Sequence, residues 1–361
     1  MEFLTNYGLF LAKTVTFLIA VFIVITLIVS SSMRNKRSDK GQIHISKLNE
    51  KFDAMREALQ EAVLDEEQFK QQQKDEKKRL KQEKESQKKL AKQNSKKQSK
   101  DIVEVVADEY KKRVFVLEFI GDIKASACEN LREEISAVLT LATSRDEVVV
   151  KVESGGGMVH SYGLASSQLA RITNKQIPLT VCVDKVAASG GYMMACVANK
   201  IIAAPFAILG SIGVVAQLPN FHRLLKKNDI DFEMFTAGEY KRTVTMFGEN
   251  TNKGREKFVE DLEDTHVLFK EFVSEHRAQV DIATVATGEI WFGRRALGVN
   301  LVDELQTSDE YLLAQAAVSD IFEVEYSIKK SLPEKFGLAA QVVVERALFS
   351  VWDKVQNSRF F

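Results

Sequence analysis

The chain has 361 residues, with 50 Lys and Arg against 50 Asp and Glu, and so carries no formal net charge. A content of 45% hydrophobic and 28% charged residues excludes both disorder throughout and a polytopic membrane protein. The neutral balance excludes a uniformly basic nucleic-acid binder, and three cysteines without CxxC or zinc spacing (Cys128, Cys182, Cys196) predict neither a disulfide framework nor a metal site.

In chain order, the first element is Thr14 to Ser32, a run of 19 residues without a charge. As a helix it would be about 28 Å long, enough to cross the hydrocarbon core. A cleavable signal peptide is the rival reading, since Ser30, Ser31 and Ser32 offer small residues. The apolar run is longer than such peptides carry, however, and Lys13 is the only basic side chain before it. Arg34, Lys36, Arg37 and Lys40 follow, and the positive-inside rule then puts the C-terminal bulk in the cytoplasm. The expected layout is a membrane anchor with its basic flank over 1–40, a tether over 41–100, a folded domain over 101–330 and an amphipathic C-terminal helix over 331–361.

Within the tether, Ile45, Leu48, Phe52, Met55 and Leu59 recur at alternating steps of three and four. That stripe suits packing between helices of neighbouring copies, and equally a helix lying on its own domain. Residues 70–100 hold 13 Lys and Arg against 4 Asp and Glu, a local charge of +9. With almost no apolar side chains they form a solvated helix or spacer, close enough to the anchor to meet anionic headgroups.

From about Ile102 strands and helices alternate. Val114–Phe119 reads as a strand, Glu129–Ala142 as a helix and Val148–Val152 as a strand entering the run Gly155–Gly157. A helix to about Ile172, a strand at Leu179–Val183 and a small-residue helix from Ser189 follow. This alternation implies βαβ units around a largely parallel sheet. Val186–Leu218 is apolar enough to mimic a second span, but Asn199, Lys200 and Pro205 interrupt it, so it is expected to be a buried strand–turn–helix unit. Phe232–Phe235 reads as a further strand, Phe258–Phe272 as one face of a long helix, and Lys335–Gln356 as an amphipathic closing helix that docks or assembles.

Three local features carry chemistry. Ser154-Gly155-Gly156-Gly157 after a strand offers unobstructed backbone N–H groups, although any strand-ending turn uses glycine. Ala187-Ala188-Ser189-Gly190-Gly191 places a serine among tiny residues at a helix start, which suits a nucleophile or a simple N-cap. Gly238-Glu239-Tyr240-Lys241-Arg242 supplies Lys241, which is either a surface lysine or a base. A lysine acts as a base where burial lowers its pKa from about 10.4 to about 7–8. His160, beside the glycine run, is the rival base.

Together, DKVAASGGYMMACVA from Asp184, GSIGVVAQ from Gly210, TAGEYKR from Thr236 and GVNLVDEL from Gly298 resemble the SppA/SohB family of membrane-bound serine peptidases. The resemblance runs from residue 1 to about 330 and makes 101–330 the expected serine peptidase domain. It implies an α/β, ClpP/crotonase-like fold of repeated ββα units and a Ser–Lys dyad with no cofactor and no metal. Carried over by motif, Ser189 is the nucleophile, Lys241 the general base and Ser211 the serine that orients the lysine. The backbone N–H groups of Gly156 and Gly190 match the oxyanion hole. The family's turn usually reads Ser-Pro-Gly-Gly; Gly155 in place of the proline loosens it without removing a donor.

The resemblance also implies a single-pass protein of the bacterial inner membrane, acting on short or unfolded apolar peptides such as signal-peptide remnants or membrane-protein fragments. The expected partners are peptide substrates, the lipid bilayer and further copies in a ring-like homo-oligomer with a site built at protomer interfaces, and no nucleic acid. Relatives can hold the catalytic domain outside the cytoplasm, against the charge rule. Two other readings stand beside this one. A crotonase-type acyl-CoA enzyme would need neither Ser189 nor Lys241, and a non-catalytic membrane scaffold would keep only the fold.

Overall fold

A computed structural model describes residues 8–10, 13–14, 16–17, 41–65, 67–68, 71, 74, 78, 85 and 111–327. The chain divides into two compact units, Met1–Gln42 with Tyr326–Phe361, and Ile43–Glu325. In the first, the Gly41 N–H donates to the Tyr326 hydroxyl at 2.9 Å. The second contains every candidate site residue.

The elements run β1 (Gln42–Lys47), α1 (Leu48–Val63), β2 (Arg113–Gly121), α2 (Cys128–Leu139), β3 (Glu147–Ser154), α3 (Val159–Asn174), β4 (Leu179–Val183), β5 (Val186–Ala188) and α4 (Gly190–Ala195). They continue with β6 (Lys200–Ala203), β7 (Ile208–Gly210), α5 (His222–Lys227), α6 (Asn252–His276), α7 (Ile282–Val285), β8 (Ile290–Phe292), α8 (Gly293–Gly298), β9 (Glu304–Leu305), α9 (Ser308–Ala316) and β10 (Asp320–Ser327). All strands join one sheet in the order β1-β10-β2-β3-β4-β6-β9, with β5 on β3, β7 on β5 and β8 on β7. Pairing from β10 through β9 and from β3 to β7 is parallel, and β8 runs antiparallel to β7.

The strand sequences explain why both faces of the sheet are covered. In β2, Phe115, Leu117 and Phe119 enter one core cluster while Val114 and Val116 enter another. Val148, Val150 and Val152 of β3 likewise oppose Val149, and Leu179, Val181 and Val183 of β4 oppose Cys182. Strands that bury side chains on both faces are the signature of a parallel sheet between helical layers. Leu131 and Ile135 of α2 and Leu169 and Ile172 of α3 close the first face. Leu48 of α1 with Tyr311 and Leu312 of α9 closes the second.

Buried polar groups fasten these layers, because a charge out of water must be paired. The Glu147 carboxylate accepts from Lys112 (2.5 Å), Thr180 (2.6 Å) and the Tyr311 hydroxyl (2.5 Å). At the end of α6 the Arg277 guanidinium donates to both Asp303 oxygens at 2.9 Å, and Asp303 also accepts from the Ile201 N–H at 2.7 Å. All three cysteines are free and buried.

Several expectations need revision. The stripe from Ile45 to Leu59 is not one helical face: Ile45 lies on β1, Leu48 is buried, Phe52 packs on the core, and Met55 and Leu59 are exposed. Ile43–Val63 therefore belongs to the folded unit and not to a tether starting at residue 41. Phe232–Phe235 forms no strand; it is irregular and exposed, and it pairs with no described strand. Val186–Gly210 does fold as short, largely buried strands around α4, whereas Val215–Leu218 is irregular and exposed. Of Thr14–Ser32 only Thr14, Thr16 and Phe17 are described, and among the described residues no helix is long and apolar enough to cross a membrane. The basic run 70–100 apart from four isolated residues, and all of Lys335–Gln356, lie outside the described residues.

Candidate active site

The three strands β3, β5 and β7 end level with one another. Ser154 pairs with Ala187, Ala187 with Leu209 and Ala188 with Gly210. The glycine turn, Ser189 and Ser211 therefore all leave the sheet at one place, the carboxyl ends of parallel strands, where open α/β sheets hold their ligands.

Ser189 sits between β5 and α4 at φ 52° and ψ −120°. A side-chain-bearing residue in such a region costs on the order of 1–3 kcal/mol and persists only where its surroundings hold it. Here the Ser189 N–H donates to the Gly210 carbonyl (2.8 Å), and the Ser189 carbonyl accepts from the Met193 N–H (2.9 Å). Strand-to-helix elbows of this kind lift a serine hydroxyl clear of the sheet. Ser211 follows with φ 51°, its N–H donating to the Glu289 carbonyl at 2.7 Å.

Gly156 lies directly against this elbow. Its φ is +88°, and a β-carbon there would stand 2.6 Å from the Gly190 nitrogen and 2.7 Å from the Ser189 β-carbon. Only glycine lets the turn come so close. Gly190 begins α4, where a first-turn N–H has no helical acceptor. The structure thus brings Ser189, Ser211, Gly156 and Gly190 together. Two backbone donors beside a serine hydroxyl can receive a negative oxygen as a bond to carbonyl carbon forms.

Lys241 is not part of that cluster in the single chain. It is exposed, in a turn where its N–H donates to the Gly238 carbonyl at 3.2 Å. The turn is tied to α6 by Glu239, 2.5 Å from Lys253, and by the Tyr240 ring, 5.9 Å and 5.7 Å from the Lys253 and Lys257 ammonium groups. His160 is exposed in the first turn of α3. Among the described residues no hydrogen bond joins Ser189 to Lys241, Ser211 or His160.

Other chemistries find less support. Among the described residues no group of three or more His, Cys, Asp or Glu could hold a metal ion. Burial pushes the Cys182 thiol up to about 12 and raises that of Cys196 as well, so neither forms the thiolate a nucleophile requires.

Ser154 shows in the sequence only as the head of the glycine turn, and Tyr162 carries no sequence signal. The Ser154 hydroxyl, buried under the turn, accepts from the Gly156 N–H at 3.1 Å, and Tyr162 on α3 lies 2.5 Å from it. A tyrosine at an inward helical position reads as ordinary core.

Known proteins resemble the chain over nearly all its length. The family model described as Peptidase family S49 N-terminal matches residues 2–169, and that described as Peptidase family S49 matches residues 171–321. "Probable protease SohB" of Haemophilus influenzae is 52% identical over 94% of this chain and 94% of its own. "Probable protease SohB" of Buchnera aphidicola subsp. Schlechtendalia chinensis is 46% identical over 87% of this chain and 100% of its own.

Proposed function

Because this chain belongs to peptidase family S49 and is a protease, we propose that it is a serine endopeptidase with a Ser–Lys dyad on a ClpP/crotonase-like fold. The observation that carries this reading is the strained elbow at Ser189 with Gly156 and Gly190 packed against it. A scaffold has no need to maintain such a backbone.

In the proposed reaction the Ser189 oxygen adds to the scissile carbonyl carbon and its proton passes to the Lys241 amine. The carbonyl oxygen becomes an oxyanion between the Gly156 and Gly190 N–H groups. Collapse breaks the C–N bond, the departing amine takes the proton from Lys241, and water repeats the sequence on the acyl-serine. Ser211 orients the lysine. Exposed Ile123, Met158 and Val159 beside the turn suit apolar peptides such as signal-peptide remnants or membrane-protein fragments.

The exposure of Lys241 has a bearing on assembly. General-base duty asks for an amine held in a drier site than one chain gives it. The same irregular stretch exposes Val215 and Phe235 by 81% and 89%. A homo-oligomer that buries this stretch against another copy would supply the missing environment, and it forms part of the proposal. So does anchoring in the bacterial inner membrane through Thr14–Ser32.

The test is a fluorophosphonate label together with Ser189→Ala. The parent should be labelled at Ser189, and the variant should fold and lose peptide hydrolysis. Cleavage by Ser189→Ala at the parental rate would refute the assignment.

A further inference from the structure

Beneath the glycine turn the hydrogen bonds form one directed chain. The Asp122 carbonyl can only accept, so the Tyr162 hydroxyl, 2.7 Å away, must donate to it. That uses the one tyrosine proton. Ser154 therefore donates to Tyr162 across 2.5 Å, and its free lone pairs face the Gly156 N–H at 3.1 Å. Polarity is fixed throughout: Gly156 N–H to Ser154 O–H to Tyr162 O–H to the Asp122 carbonyl.

The same tyrosine reaches the other donor by packing. A β-carbon on Gly190 would lie 2.4 Å from Tyr162 Cγ, so the ring is stacked on the Gly190 backbone. The ring also meets Phe119 in an edge-to-face arrangement, with centroids 6.2 Å apart. Tyr162 and Ser154 are both buried. Burial raises the Tyr162 pKa above 10, which keeps its proton in place for donation.

From this geometry we infer that Tyr162, acting through Ser154, is the positioning residue of the oxyanion turn. It sets the direction of the Gly156 N–H by hydrogen bonding and the place of the Gly190 N–H by contact. The role rests on the serine peptidase reading above. Gly155 leaves the turn without a ring to stiffen it, and the buried chain provides the stiffness from below. Such preorganisation lowers the barrier because the donors need not be ordered as charge develops. The Gly156 N–H is shared between Ser154 and the oxyanion in a three-centre bond. The charged acceptor takes the greater part, since hydrogen bonds to ions are the stronger ones.

The experiment compares the full-length parent with Ser189→Ala, Tyr162→Phe, Ser154→Ala and the Ser154→Ala/Tyr162→Phe double variant on one fluorogenic peptide. Tyr162→Phe keeps the ring and removes one oxygen. Its kcat should fall roughly tenfold, within the ~10²–10³-fold that an entire oxyanion donor is worth, while KM stays within about twofold. Affinity for a peptide aldehyde, which forms a tetrahedral adduct on serine, should weaken by the same factor as kcat. Ser154→Ala breaks the same chain, so the double variant should be no slower than the slower single one. Should Tyr162→Phe fold poorly, Ser154→Ala carries the comparison. A parental kcat, a loss confined to KM, or losses that multiply in the double variant would overturn the role. If Ser189→Ala still cleaves, the serine reading falls and this role with it. If Ser189→Ala is dead and Tyr162→Phe fully active, only the positioning role falls.

Discussion

Replacing Gly156 by alanine should damage turnover far more than replacing Gly155, its neighbour in the same turn. At Gly156 the backbone stands at φ +88°, where a side chain costs about 1–2 kcal/mol. The new methyl would also sit 2.6 Å from the Gly190 nitrogen and 2.7 Å from the Ser189 β-carbon. Overpacking of that kind costs about 1–3 kcal/mol. The combined destabilisation is then about 2–5 kcal/mol, and its relief moves the nucleophile and both N–H donors apart. Loss of one donor alone is worth about 10²–10³-fold in kcat. At Gly155 an added β-carbon meets nothing within 4 Å. Gly155→Ala should therefore leave kcat nearly unchanged and raise stability by about 0.4–1 kcal/mol through the unfolded chain. Thermal melting and kcat on one fluorogenic peptide measure both effects. Equal loss at the two positions, or a fully active Gly156→Ala, would refute the close approach on which the site is built.

Lys241→Ala should lose about 10²–10⁴-fold in turnover, and His160→Ala little, because a positioned base contributes on that scale; a dead His160→Ala with an active Lys241→Ala reverses the assignment. If the dyad is shared between copies, mixing inactive Ser189→Ala with inactive Lys241→Ala restores part of the activity, and a mixture that stays inert argues for a dyad within one chain. The four basic residues from Arg34 to Lys40 predict that alkaline phosphatase fused after residue 110 is inactive in cells; an active fusion places the domain across the membrane. Burial acts to raise the Asp320 pKa, but hydrogen bonds from Lys111 and Lys47 outweigh it and hold the carboxyl below 3.8. Its stabilisation is present above the unfolded pKa and is lost as the pH falls through the lowered one. Urea titrations should show Asp320→Asn less stable than the parent near neutrality, with the gap closing in acid; a gap independent of pH would contradict this.

The parts of the fold that were legible in the sequence are those that bury a continuous apolar run. Leu179–Val183 is a strand at its predicted bounds, and all five of its side chains are buried. Strands β5 and β7, three residues each, are too short to show a period, and their role depends on pairing with β3. Phe232–Phe235 fails for the converse reason: its composition suits a strand, but a strand also needs a neighbour. At the site, Ser189 and the glycines were legible because small residues between a strand and a helix have few uses. The distance between Lys241 and Ser189 was not, since it depends on the course of a long irregular segment. Tyr162 was invisible, as only the folded chain puts its hydroxyl under Ser154.

The place of β10 in the sheet has a consequence for biosynthesis. Asp320–Glu323 pair with Arg113–Val116, so β2 waits for a partner encoded about two hundred residues later. At roughly 5–20 residues per second, a ribosome leaves that edge unpaired for about 10–40 s. β1 waits as well, because β10 is the strand that joins it to the sheet. Until Asp320 emerges, the nascent chain carries two open β edges, Val114 and Val116 among their side chains, as templates for wrong pairing. The last described strand to be translated is the one that joins β1 to the rest of the sheet.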